Sequence, residues 1–160
     1  MLSPCAHTQE PDRGLSGAGL DAELTAAERR CSTGGGRLTA PRRRALEMLL
    51  AAGAPVKAYE LVSHFRAGEG AAKPPTIYRA LEFLERAGFA HRIESLNAYV
   101  ACRYGARTHP AAFLICDCCG AAEEFEPDFT PGRAAAEAKG YAVSTVTLEA
   151  RGLCPACQAS

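Results

Sequence analysis

Two stretches decide how the last third of this chain folds: Cys116-Asp117-Cys118-Cys119 and Cys154-Pro155-Ala156-Cys157. Each is a C-x-x-C pair, which presents two thiols from one tight turn. Two such pairs brought face to face supply the four soft ligands of a closed, tetrahedral, structural zinc site. We therefore predict a structural zinc ion, with reduced core cysteines or disulfides as the alternative. Its expected ligands are Cys116, Cys119, Cys154 and Cys157, and Cys118 is expected to be a bystander.

The segment between the two pairs, residues 120–153, is longer than the spacer of a compact zinc ribbon. The metal is therefore expected to stabilise a small α/β domain rather than a finger. Alternating apolar residues predict strands over 111–116, 121–125 and 141–149, with a helix near 132–139.

Composition limits the class of protein. The chain has 160 residues, 48% of them hydrophobic, and no apolar run long enough to span a bilayer. The N-terminus lacks the pattern of a signal peptide, so the eight cysteines are expected to be in a reducing compartment, where thiols bind metals. We predict a soluble cytoplasmic protein with no membrane partner.

The first two thirds of the chain are predicted to be mostly helical. Residues 1–19 lack periodicity and are expected to be a disordered tail. Helices are predicted from Asp21 to about Cys31, from Thr39 to Gly53, over 58–66 and from Pro74 to Gly88. Two apolar runs, 89–93 and 99–102, flank a polar turn and predict a β-hairpin. Helices followed by a hairpin indicate a winged helix.

The predicted fold class is therefore α+β, with four segments. Residues 1–19 are expected to form the tail, 20–101 a winged-helix domain, 102–110 a hinge, and 111–160 a small zinc-binding domain. The resemblance described below implies that 20–101 is the DNA-binding domain and 111–160 the dimerisation domain.

The winged-helix part also carries the positive charge. Residues 37–99 contain ten Lys or Arg against six acids, a net +4, whereas the whole chain is neutral. In a winged helix the third helix of the core enters the major groove, so residues pointing away from its apolar face are candidates for DNA contact. They are Thr76, Tyr78 and Arg79, with Tyr59 at the start of the preceding helix. Trihelical cores also serve in protein interactions, which is the alternative.

Several motifs together resemble the ferric uptake regulator (Fur) family, most closely its zinc uptake regulator branch. They cover roughly residues 20–158 and occur in the family's order: Lys73-Pro74-Pro75-Thr76-Ile77-Tyr78-Arg79-Ala80-Leu81-Glu82-Phe83-Leu84, Gly88-Phe89-Ala90-His91, Glu94-Ser95-Leu96-Asn97-Ala98-Tyr99-Val100, Thr108-His109, Cys116-Asp117-Cys118-Cys119-Gly120 and Gly152-Leu153-Cys154-Pro155-Ala156-Cys157.

The resemblance implies a homodimeric repressor, not an enzyme, that binds double-stranded A·T-rich palindromic operators of zinc-acquisition genes when zinc is bound. It implies two zinc ions per protomer and no other small-molecule substrate. It assigns the four paired cysteines to the structural site and Tyr59 and Arg79 to DNA contact. The regulatory metal ligands it implies are His91, Cys102, His109 and Glu124, which spacing alone would not have grouped; the neighbouring Glu123 leaves the carboxylate assignment open.

The residue types of that regulatory set agree with zinc. One thiolate, two imidazoles and one carboxylate form a borderline-soft set of four ligands, whereas an Fe(II) sensor would use more histidine and carboxylate. A family member that senses Fe(II), manganese or peroxide is the alternative within the family. A thiol-disulfide oxidoreductase is the alternative from another class, and a zinc hydrolase is disfavoured because both predicted sites have four protein ligands and no open position for water.

Overall fold

The computed structural model describes residues 14–66, 73–104 and 109–159, which fall into two compact units. The N-terminal unit ends before His109 and the C-terminal unit begins there. Most of the predicted tail, the loop over 67–72 and residues 105–108 of the predicted hinge lie outside the described residues. Among the described residues, no helix is long and apolar enough to cross a bilayer.

The first helix, α1, spans Gly17–Thr33 and is longer at both ends than predicted. Asp21 is therefore not its N-cap; Ser16 takes that position in an extended conformation. Residues 17–19 belong to the helix rather than to the predicted tail, because the backbone N–H of Leu15 donates to the carbonyl of Leu50 at 2.9 Å and anchors the segment before the helix. The apolar residues of α1 at helical spacing face the core: Leu24, Ala27 and Cys31 are buried, and Leu20 is half-buried.

Three further helices follow: α2 (Ala40–Ala52), α3 (Ala58–Arg66) and α4 (Pro74–Arg86). The predicted start and end of α2 are confirmed. Thr39 is its N-cap, and Gly53 ends it with φ +59°, a left-handed conformation that glycine adopts without the steric cost of a Cβ. Pro74 and Pro75 occupy the first turn of α4, where a missing N–H costs no helical hydrogen bond.

The wing is a three-stranded antiparallel sheet, one strand more than the predicted hairpin. Its strands are β1 (Val56–Lys57), β2 (Ala90–Ile93) and β3 (Ala98–Ala101), in the order β1-β3-β2. The turn between β2 and β3 is a short 3-10 helix ending at Asn97, which has φ +46°. Two residues are too few for a periodic signal, so β1 is recognised only through its pairing with β3.

One apolar core holds the N-terminal unit together. It receives the buried stripes of the helices and residues from the wing, and α2 packs directly against α4. The apolar face of α4 is buried in this core, since Ile77, Leu81 and Leu84 have no exposed surface. Full burial of a Leu or Ile side chain stabilises a fold by about 1.5–3 kcal/mol, so these residues fix which side of α4 faces inward.

The C-terminal unit is a second three-stranded sheet with two helices. Its elements are β4 (Ala111–Cys116), β5 (Ala122–Glu124), α5 (Thr130–Glu137), β6 (Thr147–Gly152) and α6 (Pro155–Gln158). The strand order is β5-β4-β6, with β5 antiparallel and β6 parallel to β4. Phe113 and Ile115 of the central strand are buried.

The predicted strand over 141–149 was wrong in its position. Residues 141–146 lie outside any strand, and the strand begins at Thr147 and continues to Gly152. The reason is register: β6 pairs with β4 from Ala111↔Thr147 to Cys116↔Gly152, so its end coincides with the end of β4. Alternation of apolar residues in 141–149 does not report this long-range pairing.

Candidate metal centres and recognition helix

Four thiols meet at the end of the β4–β6 pair. Cys116 ends β4 and Cys119 follows in a turn, whereas Cys154 precedes α6 and Cys157 lies within it. The four sulfur atoms lie within 4.8 Å of one another, with Cys116 Sγ 3.5 Å from Cys157 Sγ and Cys119 Sγ 3.9 Å from Cys154 Sγ. A tetrahedron with Zn–S bonds of about 2.3 Å has sulfur atoms about 3.8 Å apart, so the quartet fits zinc.

The second cysteine pair differs from the prediction in its local structure. It lies at the start of a helix rather than in a tight turn, because Cys154 is the N-cap of the four-residue helix α6. The first pair does lie in a turn, which ends at Gly120 with φ +72°. Cys118 is not a member of the quartet that the described residues form.

The backbone prepares this site for thiolates. The N–H of Cys154 donates to Cys116 Sγ at 3.3 Å. Such hydrogen bonds, from Cys119 first and then from Cys154, lower the pKa of Cys116 to about 6. Burial raises the pKa of Cys157 above its ordinary value. The lowered pKa favours the thiolate form of Cys116, which is the form that binds metal.

Sequence reasoning missed an ion pair between the segments that carry the two cysteine pairs. The Arg151 guanidinium donates to Asp117 Oδ1 from Nε at 2.9 Å and from Nη2 at 2.6 Å. The Asp117 N–H donates to the carbonyl of Gly152 at 2.8 Å. These contacts join the turn of the first cysteine pair to the strand before the second. No local signal marks them, because the two residues are 34 positions apart and meet only through the β4–β6 register.

A second pair of possible ligands lies elsewhere in the C-terminal unit. His109 Nε2 is 3.4 Å from Glu124 Oε1, and the Glu124 side chain is almost fully buried. His109 Nδ1 lies 3.0 Å from the carbonyl oxygen of Pro110, which accepts a hydrogen bond from the Nδ1–H. In the neutral imidazole this leaves the Nε2 lone pair facing a carboxylate oxygen, an arrangement that requires a proton or a metal cation between the two atoms. The exposed neighbour, Glu123, is not part of it.

The N-terminal unit also contains a histidine and a cysteine that are candidate metal ligands. His91 lies on β2 opposite Val100, and only 7% of its surface is exposed. Cys102 follows β3, and its N–H donates to the carbonyl of Phe89 at 2.9 Å. The ligand atoms of His91 and Cys102 lie within 4.8 Å of each other. A nitrogen and a sulfur so close together form a second candidate pair of ligands for a borderline-soft metal.

The candidate DNA-contact residues lie on the outside of the N-terminal unit. Thr76, Tyr78 and Arg79 are exposed on the first turns of α4, on the side away from its buried stripe. Tyr59 is 62% exposed at the start of α3, where its hydroxyl donates to Glu60 Oε1 at 3.2 Å. Two exposed tyrosines and an arginine near helix N-termini can contact phosphates and base edges.

The sequence and the fold of this chain are similar to those of known proteins. The model of the family described as "Ferric uptake regulator family" matches residues 33–151, well over half of the sequence. The chain belongs to the ferric uptake regulator family. This confirms the resemblance drawn from the motifs and the α+β class.

Individual Fur family members are also similar. The zinc uptake regulation protein of Escherichia coli (strain K12) is 39% identical over 137 residues, which cover 84% of this chain and 80% of that protein. A structure described as a zinc uptake regulator complexed with zinc and DNA has a TM-score of 0.81 and 37% identity, covering 89% of this chain and 97% of the other. The structure of holo XcZur has a TM-score of 0.78 and 44% identity, covering 88% and 99%.

Proposed function

We propose that this protein is a zinc-responsive transcriptional repressor of the Fur family. It acts as a homodimer in the cytoplasm, binds two zinc ions per protomer, and in the zinc-bound state binds palindromic A·T-rich operators of zinc-acquisition genes. The observation that carries the proposal is the thiol quartet with zinc-like spacing, in a chain 37% identical to a zinc uptake regulator complexed with zinc and DNA.

The structural zinc ion is assigned to the quartet Cys116, Cys119, Cys154 and Cys157. Four protein ligands close the coordination sphere and leave no position for a substrate water, which is typical of structural rather than catalytic zinc. Because an unfolded chain does not hold these ligands together, the binding free energy of the metal contributes to folding of the C-terminal unit.

The regulatory zinc ion is assigned to His91, Cys102, His109 and Glu124. Each unit supplies two of the four ligands, so filling this site requires both units. The 3.4 Å separation of His109 Nε2 and Glu124 Oε1 equals the edge of a tetrahedron with metal bonds of about 2.1 Å, which supports the assignment. A set of one sulfur, two nitrogens and one oxygen favours zinc over Fe(II).

This ligand distribution suggests how zinc would control DNA binding. A metal that binds residues of both units selects one arrangement of the DNA-binding part within the dimer, and only a fixed separation of two recognition helices fits a palindrome. Allosteric coupling of about 1–3 kcal/mol changes affinity by roughly 5- to 150-fold, which is sufficient for a switch.

The regulatory assignment is tested by Glu124→Gln, with Glu123→Gln as the matched control. Fluorescence anisotropy of a labelled A·T-rich palindromic duplex is measured at fixed salt across buffered free zinc, with Fe(II) as a comparison. We expect wild type and Glu123→Gln to bind only as zinc rises. Glu124→Gln should need at least about tenfold more free zinc for the same duplex binding, since loss of a ligand charge weakens the metal site. Equal zinc dependence of both variants would remove Glu124 from the site.

The structural assignment is tested by Cys119→Ser, with Cys118→Ser as the control in the same turn. Cys119→Ser should lose one equivalent of tightly held zinc and lower the melting temperature of the protein, because a metal that contributes to folding is lost. Cys118→Ser should retain the zinc, because Cys118 is not one of the four thiols of the quartet. Zinc content is measured by mass spectrometry under non-denaturing conditions. Full zinc retention by Cys119→Ser would contradict the assignment.

The competing functions make different predictions in the same experiments. Restoration of duplex binding by Fe(II) rather than zinc would make the protein an iron sensor of the same family. Membership of a family of transcription regulators does not favour the thiol-disulfide oxidoreductase, nor an enzyme of another kind.

A further inference from the structure

Arg42, near the start of α2, makes a contact that sequence reasoning did not anticipate. Its guanidinium carbon lies 3.6 Å from the centre of the Phe83 ring on α4. Its Nη1 donates to the carbonyl of Arg37 at 2.7 Å. One side chain therefore connects three elements: α2, the segment before it, and α4.

The residues around the Phe83 ring hold it in place beneath the Arg42 guanidinium. The ring is half-buried, and its edge faces Gly36, where an added Cβ would lie 3.7 Å from Cε2 and Cζ. The segment at Gly36 is fixed in turn by its N–H, which donates to the carbonyl of Cys31 at 2.8 Å. A planar guanidinium stacked on an aromatic face is a directional contact, and lysine cannot reproduce its geometry.

The position of Phe83 on α4 connects this contact with Arg79. Phe83 follows Arg79 by four residues, so the two side chains lie on neighbouring positions of the helix surface. The buried residues Ile77, Leu81 and Leu84 fix α4 in the core along one stripe. The Arg42–Phe83 stack adds a second point of attachment away from that stripe and so opposes rotation of α4 about its own axis.

We propose that Arg42 is a positioning residue for DNA recognition: it aims Arg79 by holding α4 through Phe83, and it does not itself need to touch DNA. The proposal depends on the function proposed above, because it assumes that α4 is the recognition helix. The alternative explanation is a direct contact between the Arg42 guanidinium and a DNA phosphate.

Salt dependence separates the two possibilities. Each neutralised phosphate contributes a slope of about −0.9 to a plot of log affinity against log salt concentration. A positioning residue changes the affinity without changing this slope. It also reduces affinity for the specific duplex more than for a scrambled duplex, since phosphate contacts are common to both.

The experiment compares Arg42→Ala and Arg42→Lys with the matched control Arg43→Ala. Arg43 is the next residue and carries the same charge, but it pairs with Glu28 at 3.0 Å and Glu47 at 4.0 Å on the surface rather than with α4. Anisotropy with zinc-loaded protein is measured for specific and scrambled duplexes over a salt series, well below the melting temperature. We expect both Arg42 variants to lose about three- to tenfold in specific affinity with an unchanged slope. Arg43→Ala should stay within about twofold of wild type.

Hydrogen exchange of α4 amides provides a readout that does not depend on DNA. The amides around Phe83 should exchange faster in both Arg42 variants than in Arg43→Ala or wild type. A slope that becomes shallower by about one in Arg42→Ala, with Arg42→Lys unaffected, would replace the positioning role by a phosphate contact. Unchanged affinity and unchanged exchange in both variants would overturn it. If wild type binds no duplex at any zinc level, the proposed function fails, whereas the exchange data still show whether Arg42 orders α4.

Discussion

Tyr99 differs from the other tyrosines in its surroundings. It lies on β3 of the wing with 5% of its surface exposed, whereas the other four of the five tyrosines in the chain are 44–70% exposed. Burial raises the pKa of Tyr99 above the ordinary value of 10.0, and this outweighs the opposite effect of nearby Arg92. Its ionised form is therefore disfavoured in the folded protein.

The consequence is a loss of stability at alkaline pH. A group whose pKa is raised on folding contributes stability below its unfolded pKa, and that contribution is lost as the pH rises through its folded pKa. An absorbance titration of the phenols should show one tyrosine that ionises in a late step, at a pH above 10. Tyr99→Phe should remove the late step and flatten the alkaline decline in melting temperature.

Tyr104→Phe is the control for this titration, because it removes an exposed phenol. It should leave the late step in place. A late step that persists in Tyr99→Phe would assign the raised pKa to another residue.

At the scale of the element, α4 has two different surfaces. One is the buried stripe, and the other is the exposed side that carries Arg79. Replacing Arg79 with alanine should lower affinity for the specific duplex by about fivefold or more, as expected when a good base contact of about 1–3 kcal/mol is lost. Anisotropy with zinc-loaded protein measures this change.

Arg86 provides the matched control on the same helix. It is exposed in the last turn of α4, so Arg86→Ala removes the same charge far from the first turns. Its effect should stay within about twofold of wild type. Equal losses in the two variants would indicate that only the net charge of α4 matters and would remove Arg79 from the specific contacts.

The elements differ in how well local sequence predicted them. The bounds of α3 and β4 were predicted to the residue, because each has a strong apolar pattern and an abrupt end. The position of β6 was not, since its limits follow from parallel pairing with β4, some 36 residues earlier. Local patterns report how a segment meets a core, but they do not report which strand will pair with it.

At the scale of the whole molecule, the sheet of the C-terminal unit offers an apolar surface for the proposed dimer. In the described part of this unit, β6 is at an edge of the sheet, and Leu148 on it is 41% exposed. Leu114 of the neighbouring strand is also exposed, and it pairs with Ala150 two residues after Leu148, so both leucines lie on the same face. Exposed apolar residues on an edge strand favour association with another chain.

We expect Leu148→Asp to shift the protein from dimer towards monomer, because a carboxylate on this face would have to be desolvated in the interface. Sedimentation velocity of the zinc-loaded protein over a concentration series measures the change. Glu149→Asp, which keeps the charge of the next residue in the same strand, should leave the dimer intact. A Leu148→Asp variant as dimeric as wild type would place the interface elsewhere.

The sequence by itself determined the fold class, the helices of the N-terminal unit and the four thiols of the proposed structural site. These depend on short-range signals: apolar periodicity, Pro and Gly at helix ends, and two cysteines three residues apart. Only a resemblance to a family identified His91, Cys102, His109 and Glu124 as a set, because ligands from different elements share no local spacing.

Only the tertiary structure decided the geometry that turns these residues into sites. Three contacts join residues that are 15 to 41 positions apart: the 3.4 Å approach of His109 to Glu124, the Asp117–Arg151 ion pair and the Arg42–Phe83 stack. Their physical basis is the same in each case. A side-chain contact requires two backbones to be held at a set distance and register, and the core and the sheets, rather than any short stretch of sequence, hold them there.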